Sequence, residues 1–209
     1  MRRREDLDVD EDVKLCIFCY PPKDRTILYE DENVYVMPCL GHFKEGYLLL
    51  INKEHEDCFA SLMDKDRADV KHKVREILRE KYGACCFYEH GQVGACLERG
   101  KNKICYHAHI HCVPIEKDFT EDIEKDFDRI EVKDYSDLQD LYDKHSHYLY
   151  LETDNDTKSF FPVENGVESQ YLRKKACQAI GLPREFANWK KKPLRGKMKK
   201  TGRELKDVF

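Results

Sequence analysis

The stretch that most constrains this chain is Cys105-Tyr106-His107-Ala108-His109-Ile110-His111-Cys112-Val113-Pro114, where three histidines alternate with apolar residues. In an extended strand, successive side chains point to opposite faces. His107, His109 and His111 therefore share one face, and Ala108, Ile110 and Cys112 the other. Buried imidazoles are costly unless they are hydrogen-bonded or coordinated. Three in a row mark a functional site and require a sheet to carry it.

Composition limits what that sheet can belong to. The 209 residues suit one packed domain with extensions. Charged residues make up 37% and apolar residues 41%, as in a water-soluble globular protein. The formal net charge of -4 hides an asymmetry, because 115–140 is strongly acidic while 190–203 is dense in lysine and arginine. Met1-Arg2-Arg3-Arg4 is followed by Glu5-Asp6-Leu7-Asp8, where a signal peptide would need an apolar core. No apolar run reaches membrane-spanning length. Ten cysteines without a secretory signal argue for reduced thiols and metal ligands rather than disulfides. The expectation is a cytoplasmic protein, with the nucleus as the alternative, and no membrane partner.

Residues 1–14 read as a charged arm. Cys16-Ile17-Phe18-Cys19 offers two thiolates to one tetrahedral metal, provided two further ligands come from elsewhere. A redox pair fits less well, because Pro21-Pro22 forbids the regular helix start that such a pair needs. Two incidental buried thiols are the remaining alternative. A hairpin is expected over 26–38, with its turn at Asp31-Glu32-Asn33. Gly46 to His55 reads as a continuously apolar, central strand. A helix should start at Asp64 or Asp66, bury Val70, Val74, Ile77 and Leu78, and stop at Gly83. Residues 84–90 form another strand. The loop from Gly91 to Lys103 carries three glycines with Arg99, Lys101 and Lys103. Glycine permits close backbone approach and cations complement phosphate oxygens, so the loop suits a phosphate-bearing ligand, although basic loops are often merely solvated.

These residues together resemble the histidine-triad family of nucleotide hydrolases and transferases. The His-φ-His-φ-His-φ-φ signature is matched at 107–113. Cys16 to Cys19 opens the chain as in many members, and Gly46-Tyr-Leu-Leu-Leu-Ile-Asn-Lys-Glu-His55 is similar to the family's glycine strand. The resemblance covers roughly 15–115. It implies that His109 attacks the α-phosphorus of a nucleotide, forming a nucleotidyl-histidine that water or another acceptor resolves. His111 would hydrogen-bond the phosphate or the leaving oxygen. Such a nucleophile needs its other ring nitrogen to donate to a backbone carbonyl, which fixes the tautomer. In zinc-bearing relatives the equivalents of Cys16, Cys19, His55 and His107 hold the metal. Bottom-up, two sulfurs and two imidazoles also make a closed, structural zinc site.

Two positions depart from the family pattern. Tyr47 stands where many relatives have histidine, and Ile104 replaces a serine that contacts the leaving group, leaving Lys103 or Lys101 to supply that contact. Glu89 is placed to orient a ribose hydroxyl or His90, or else belongs to a solvated loop edge. His72, His145 and His147 read as surface residues.

Beyond Pro114, 134–142 has helical spacing, 148–152 reads as a strand, and a helix from Gln170 to Ile180 should be capped by Ser169. The pattern Ser-Gln-Tyr-Leu-Arg…Gly-Leu-Pro…Trp resembles the C-terminal extension of larger triad-like proteins, and the triad-like domains of splicing and lariat-debranching factors. There Gln170 and Arg173 would reach the nucleotide, or else the helix simply packs on the sheet edge, with Trp189 sealing that packing. The tail from Lys190 is basic enough to meet RNA.

The expected fold is α+β: an antiparallel sheet of about five strands with packed helices, plus a helical C-terminal extension. The expected division is a charged arm over 1–14, a catalytic domain over 15–115, an extension over 116–189 and a basic tail over 190–209. The expected activity is hydrolysis or transfer at the α-phosphate of a dinucleoside polyphosphate, nucleoside phosphoramidate or related nucleotide. A non-catalytic nucleotide- or RNA-binding module is the alternative. Relatives are usually homodimers.

Overall fold

The computed structural model describes residues 16–92 and 107–209. The arm over 1–14, the greater part of the basic loop with Lys103, and Ile104 lie outside the described residues.

The sheet is built from β1 (Tyr29–Glu30), β2 (Val34–Pro38), β3 (Leu48–Asn52), β4 (Cys86–Gly91), β5 (His109–Val113), β6 (Ile130–Val132), β7 (Tyr148–Glu152) and β8 (Lys158–Pro162). The spatial order is β1-β2-β3-β5-β4-β7-β8-β6, with every neighbouring pair antiparallel. Among the described residues the sheet has eight strands, where about five were expected. The three additional ones all come from the chain after Pro114, where Leu149, Leu151 and Phe161 alternate with Tyr148, Tyr150 and Phe160 to cover both faces. Both edges of β4 are thereby paired, so neither presents a bare row of N–H and C=O groups.

Alternation divides the core. One face carries Met37, Leu49, Ile51, Tyr88, Val113, Leu149 and Leu151 against α2 (Thr120–Glu124) and α4 (Tyr171–Ala179). The other carries Val36, Leu48, Leu50, Phe87, Ile110 and Cys112 against α1 (Lys65–Tyr82), which buries Val70, Val74, Ile77 and Leu78. Asp64 caps α1 by accepting from the Arg67 N–H, and Gly83 ends it at φ 87°, a left-handed conformation that suits glycine. A further helix, α3 (Ser136–His145), packs Leu138 beside Tyr148 and Phe160.

Two local expectations are corrected. Ser169 does not cap α4: Gln170 occupies the cap in a left-handed conformation, with no side-chain cap bond. The basic tail contains a folded helix, α5 (Arg195–Leu205), which buries Met198, Thr201, Gly202 and Leu205. Thr201 Oγ1 lies 2.8 Å from His42 Nε2, tying this helix to the turn before β3. The spacing of these small and apolar residues is helical, but the lysine density around them masks it.

Under α1 lies a buried ionic cluster. Glu152 meets Lys71 and Arg75, accepts from the Tyr150 hydroxyl at 2.6 Å, and is only 2% exposed. Burial alone would raise the Glu152 carboxyl, but the two cations outweigh it and hold it below its ordinary value of 4.5. Its stabilising contribution is therefore present above that ordinary value and is lost as pH falls through the lower folded value. Glu152→Gln leaves two buried cations short of a counter-charge, so urea denaturation at neutral pH should show a loss of about 3 kcal/mol. The difference from wild type should shrink as the pH is taken below 4.5.

Candidate functional site

Strand β5 pairs Leu49 with His111 and Ile51 with His109 on one side, and Tyr88 with His111 on the other. Pairing partners share a face, so the triad lies on the α4 side of the sheet. The three imidazoles have three different environments.

His107 ends the row beside the Cys16–Cys19 turn. Its Nε2 donates to the Asn52 carbonyl at 2.6 Å, which leaves the Nδ1 lone pair facing the cysteines. Nδ1 is 3.4 Å from Cys16 Sγ, 3.5 Å from Cys19 Sγ and 3.3 Å from His55 Nδ1, while Cys19 Sγ is 3.1 Å from His55 Nδ1. The four donor atoms lie within 4.8 Å of one another. Tetrahedral zinc, with Zn–N of about 2.0–2.1 Å and Zn–S of about 2.3 Å, requires N···N near ~3.3 Å and N···S near ~3.5 Å. The cluster therefore fits zinc in distance as well as in donor chemistry. Burial, with Cys16 beside it, pushes the Cys19 thiol up to about 12, so a thiolate pair here needs a cation. Cys16 also accepts the Cys19 N–H at 3.4 Å, and Tyr35 donates to the Phe18 carbonyl at 2.6 Å, anchoring the turn to β2. The sequence-predicted set of Cys16, Cys19, His55 and His107 is thus brought together.

His109 is half-buried, whereas its two neighbours are buried. Its Nδ1 donates to the His107 carbonyl at 2.7 Å, so the neutral ring carries its lone pair on Nε2. Burial lowers its pKa to about 4, keeping the ring neutral at neutral pH. The Phe18 ring lies against it, with centroids 4.8 Å apart.

His111 stacks on Tyr88 at 4.7 Å, and its Nδ1 is 2.7 Å from the Tyr47 hydroxyl. Burial first, then His109 and Arg173, holds its pKa well below the ordinary value. Tyr47 is fully buried and also receives a hydrogen bond from Arg173.

Other predicted residues fall elsewhere. Glu89 points to the opposite face from the triad. It accepts from the Phe59 N–H at 2.8 Å and the Tyr148 hydroxyl at 2.6 Å, so it braces a loop and touches no triad member. Gln170 sits at the start of α4, its side-chain oxygen buried and without a hydrogen bond among the described residues. Arg173 lies behind Tyr47 and donates to its hydroxyl at 2.6 Å. Lys103 is outside the described residues. His72 is exposed, whereas His145 and His147 are half-buried and each holds a ring nitrogen without a partner among the described residues.

Sequence reasoning missed Tyr88, which alternation places two residues before His90 on the triad face. It also missed the role of His90, whose Nε2 accepts from the Leu172 N–H at 3.2 Å near the start of α4.

Against known families, residues 3–128 match the model described as "Protein similar to CwfJ C-terminal". The chain belongs to this family. No curated protein matches it significantly. Among solved structures, a HIT family protein from Bacillus anthracis shares 20% identity at a TM-score of 0.35, covering 48% of this chain and 72% of its own. A hypothetical histidine triad nucleotide-binding protein from Sulfolobus tokodaii shares 23% at a TM-score of 0.35, covering 62% and 90%. This member of the CwfJ C-terminal-like family carries His109 and His111 on β5, one of the two central strands of its sheet, with His107 just before it. No helix among the described residues is long and apolar enough to cross a membrane.

Cys19→Ser removes one of four donors. Elemental analysis of the purified protein should show about one zinc per chain in wild type and a small fraction of that in the variant. The variant's Tm should fall by about 5–10 °C, given about 2–4 °C per kcal/mol for a chain of this size.

Proposed function

We propose that this chain binds a nucleotide through its phosphates and that His109 transfers the nucleotidyl group. The observation carrying this reading is the Nδ1 hydrogen bond of His109 to the His107 carbonyl, which leaves a neutral Nε2 lone pair on the half-buried ring. Nε2 forms a bond to the α-phosphorus while the bond from phosphorus to the leaving oxygen or nitrogen breaks. The leaving group departs with the electron pair, and water or another acceptor then displaces the histidine. His111 donates to a phosphoryl or leaving oxygen as charge develops. The substrate class is a dinucleoside polyphosphate, nucleoside phosphoramidate or related nucleotide.

Cys16, Cys19, His55 and His107 would hold zinc. With four protein ligands such a site would be structural, and these residues would then keep the Cys16–Cys19 turn, and with it Phe18, against His109.

A second reading, RNA contact, is favoured by α5. Lys197, Lys199, Arg203 and Lys206 are exposed and make no ion pair among the described residues; Lys199, Arg203 and Lys206 share one face of α5 and its C-terminal cap, with Lys197 on the opposite flank. The resemblance to splicing and debranching factors points the same way.

With diadenosine tetraphosphate and adenosine phosphoramidate as test substrates, chromatography should show turnover by wild type. His109→Ala should lower it by at least about a thousandfold, as expected for loss of a nucleophile. Absence of wild-type turnover on both would refute the proposed activity. For the RNA reading, changing those four residues to Glu should abolish single-stranded RNA binding. Wild-type affinity should drop steeply between about 50 and 200 mM salt, and His109→Ala should leave it unchanged.

A further inference from the structure

Arg173 is a buried cation with no carboxylate partner among the described residues. It is 3% exposed, and its donors go to neutral acceptors: Nε to the Ala187 carbonyl at 3.0 Å, Nη2 to the Gly41 carbonyl at 2.8 Å, and Nη1 to Cys39 Sγ at 3.3 Å and the Tyr47 hydroxyl at 2.6 Å. The rings of Phe43 and Tyr47 lie 5.3 Å and 5.1 Å from the guanidinium carbon. Gly41 permits this arrangement: its φ is 72°, and a Cβ there would lie 2.7 Å from Arg173 Nη2 and 2.5 Å from Trp189 Cβ. A buried charge held this closely yet left unpaired is costly. Its useful output must lie along its hydrogen bonds, and one of them leads to the triad.

The protons along that path can be assigned by counting. The Tyr47 oxygen has one proton to give and can accept two. Its three neighbours are Arg173 Nη1, the Tyr88 hydroxyl at 2.6 Å and His111 Nδ1 at 2.7 Å. Arg173 can only donate. Tyr88 is fully buried, and its hydroxyl has no other hydrogen-bond partner among the described residues. If Tyr47 donated to Tyr88, the Tyr88 proton would be left buried without an acceptor, which native structures avoid. Arg173 Nη1, both hydroxyls and His111 Nδ1 are all satisfied when Arg173 and Tyr88 both donate to Tyr47 and Tyr47 donates to His111 Nδ1. The proton of neutral His111 then resides on Nε2.

We infer that Arg173, acting through Tyr47 and Tyr88, locks His111 in the Nε2–H tautomer, a fixed hydrogen-bond donor beside His109 that serves phosphate-bearing ligands. His109, with its ring centroid 4.9 Å away, is locked the opposite way, as an acceptor at Nε2. Two adjacent imidazoles thus carry complementary roles set by different partners, a backbone carbonyl and a relayed guanidinium. Arg173 and Tyr47 are positioning residues, because neither is argued to touch the ligand. The ligand class rests on the nucleotide reading above; the tautomer does not.

Long-range 1H–15N correlation of the histidine rings in the zinc-loaded protein tests this directly. Wild type should show His111 protonated at Nε2. Tyr47→Phe, which keeps the ring but removes the relay, should release His111 into a tautomer mixture and raise the dissociation constant for AMP about tenfold, as for loss of one charge-assisted contact. Arg173→Met should weaken AMP by at least as much; if it does not fold, Tyr47→Phe alone decides. A wild-type His111 protonated at Nδ1, or a Tyr47→Phe protein with unchanged tautomer, would overturn the inference. Absence of AMP binding by wild type with the predicted tautomer present would instead count against the nucleotide reading alone.

Discussion

The pairing of β5 with β3 is the constraint on which the rest depends. Its register sets Leu49 opposite His111 and Ile51 opposite His109, so the triad and the long apolar strand share one face. A slip of one residue would move all three imidazoles to the α1 side, among Leu48, Leu50 and Phe87. The same pairing carries Asn52 to His107, where its carbonyl fixes the ring for the metal cluster. The Cys/His cluster and the triad are therefore two consequences of one strand register.

Along β5 the imidazoles are differentiated by what lies behind them. His107 gives its Nε2 proton to Asn52 and presents Nδ1 to two thiols and a second imidazole. His109 gives its Nδ1 proton to the preceding turn of its own chain. His111 faces a phenol backed by a guanidinium from α4. No carboxylate is used anywhere in the row among the described residues. The nearest candidate, Glu89, is turned to the other face, where Tyr148 and the Phe59 N–H occupy it. This leaves the triad face neutral to positive, as anion binding demands.

Much of this was legible in the sequence because it follows from period-two alternation and simple spacing. The Cys16–Cys19 pair, α1 with its Asp64 and Gly83 ends, and β7 all derive from such local rules, whereas His55 and His107 joined the metal set through the family resemblance. Of the three strands after Pro114, β6 and β8 were not legible, because β6 is three residues long and its pairing with β8 is set by distant chain. Glu89 was misplaced because position in sequence near the site says nothing about face unless the strand's phase is counted from Tyr88. Arg173 was legible only as a residue of a helix packed on the sheet or reaching a nucleotide: tertiary packing alone reveals that Gly41 opens a slot for it behind Tyr47. The helix in the lysine-rich tail was hidden for a related reason, since its buried face consists of Met198, Thr201, Gly202 and Leu205, and two of these carry no strong apolar signal.

The most direct measurement of the central claim is intact-mass and fragment analysis of protein quenched during exposure to adenosine phosphoramidate. A covalent nucleotidyl adduct located on His109 would agree with the geometry described. An adduct on a different residue, or turnover with no adduct formed on His109, would contradict it.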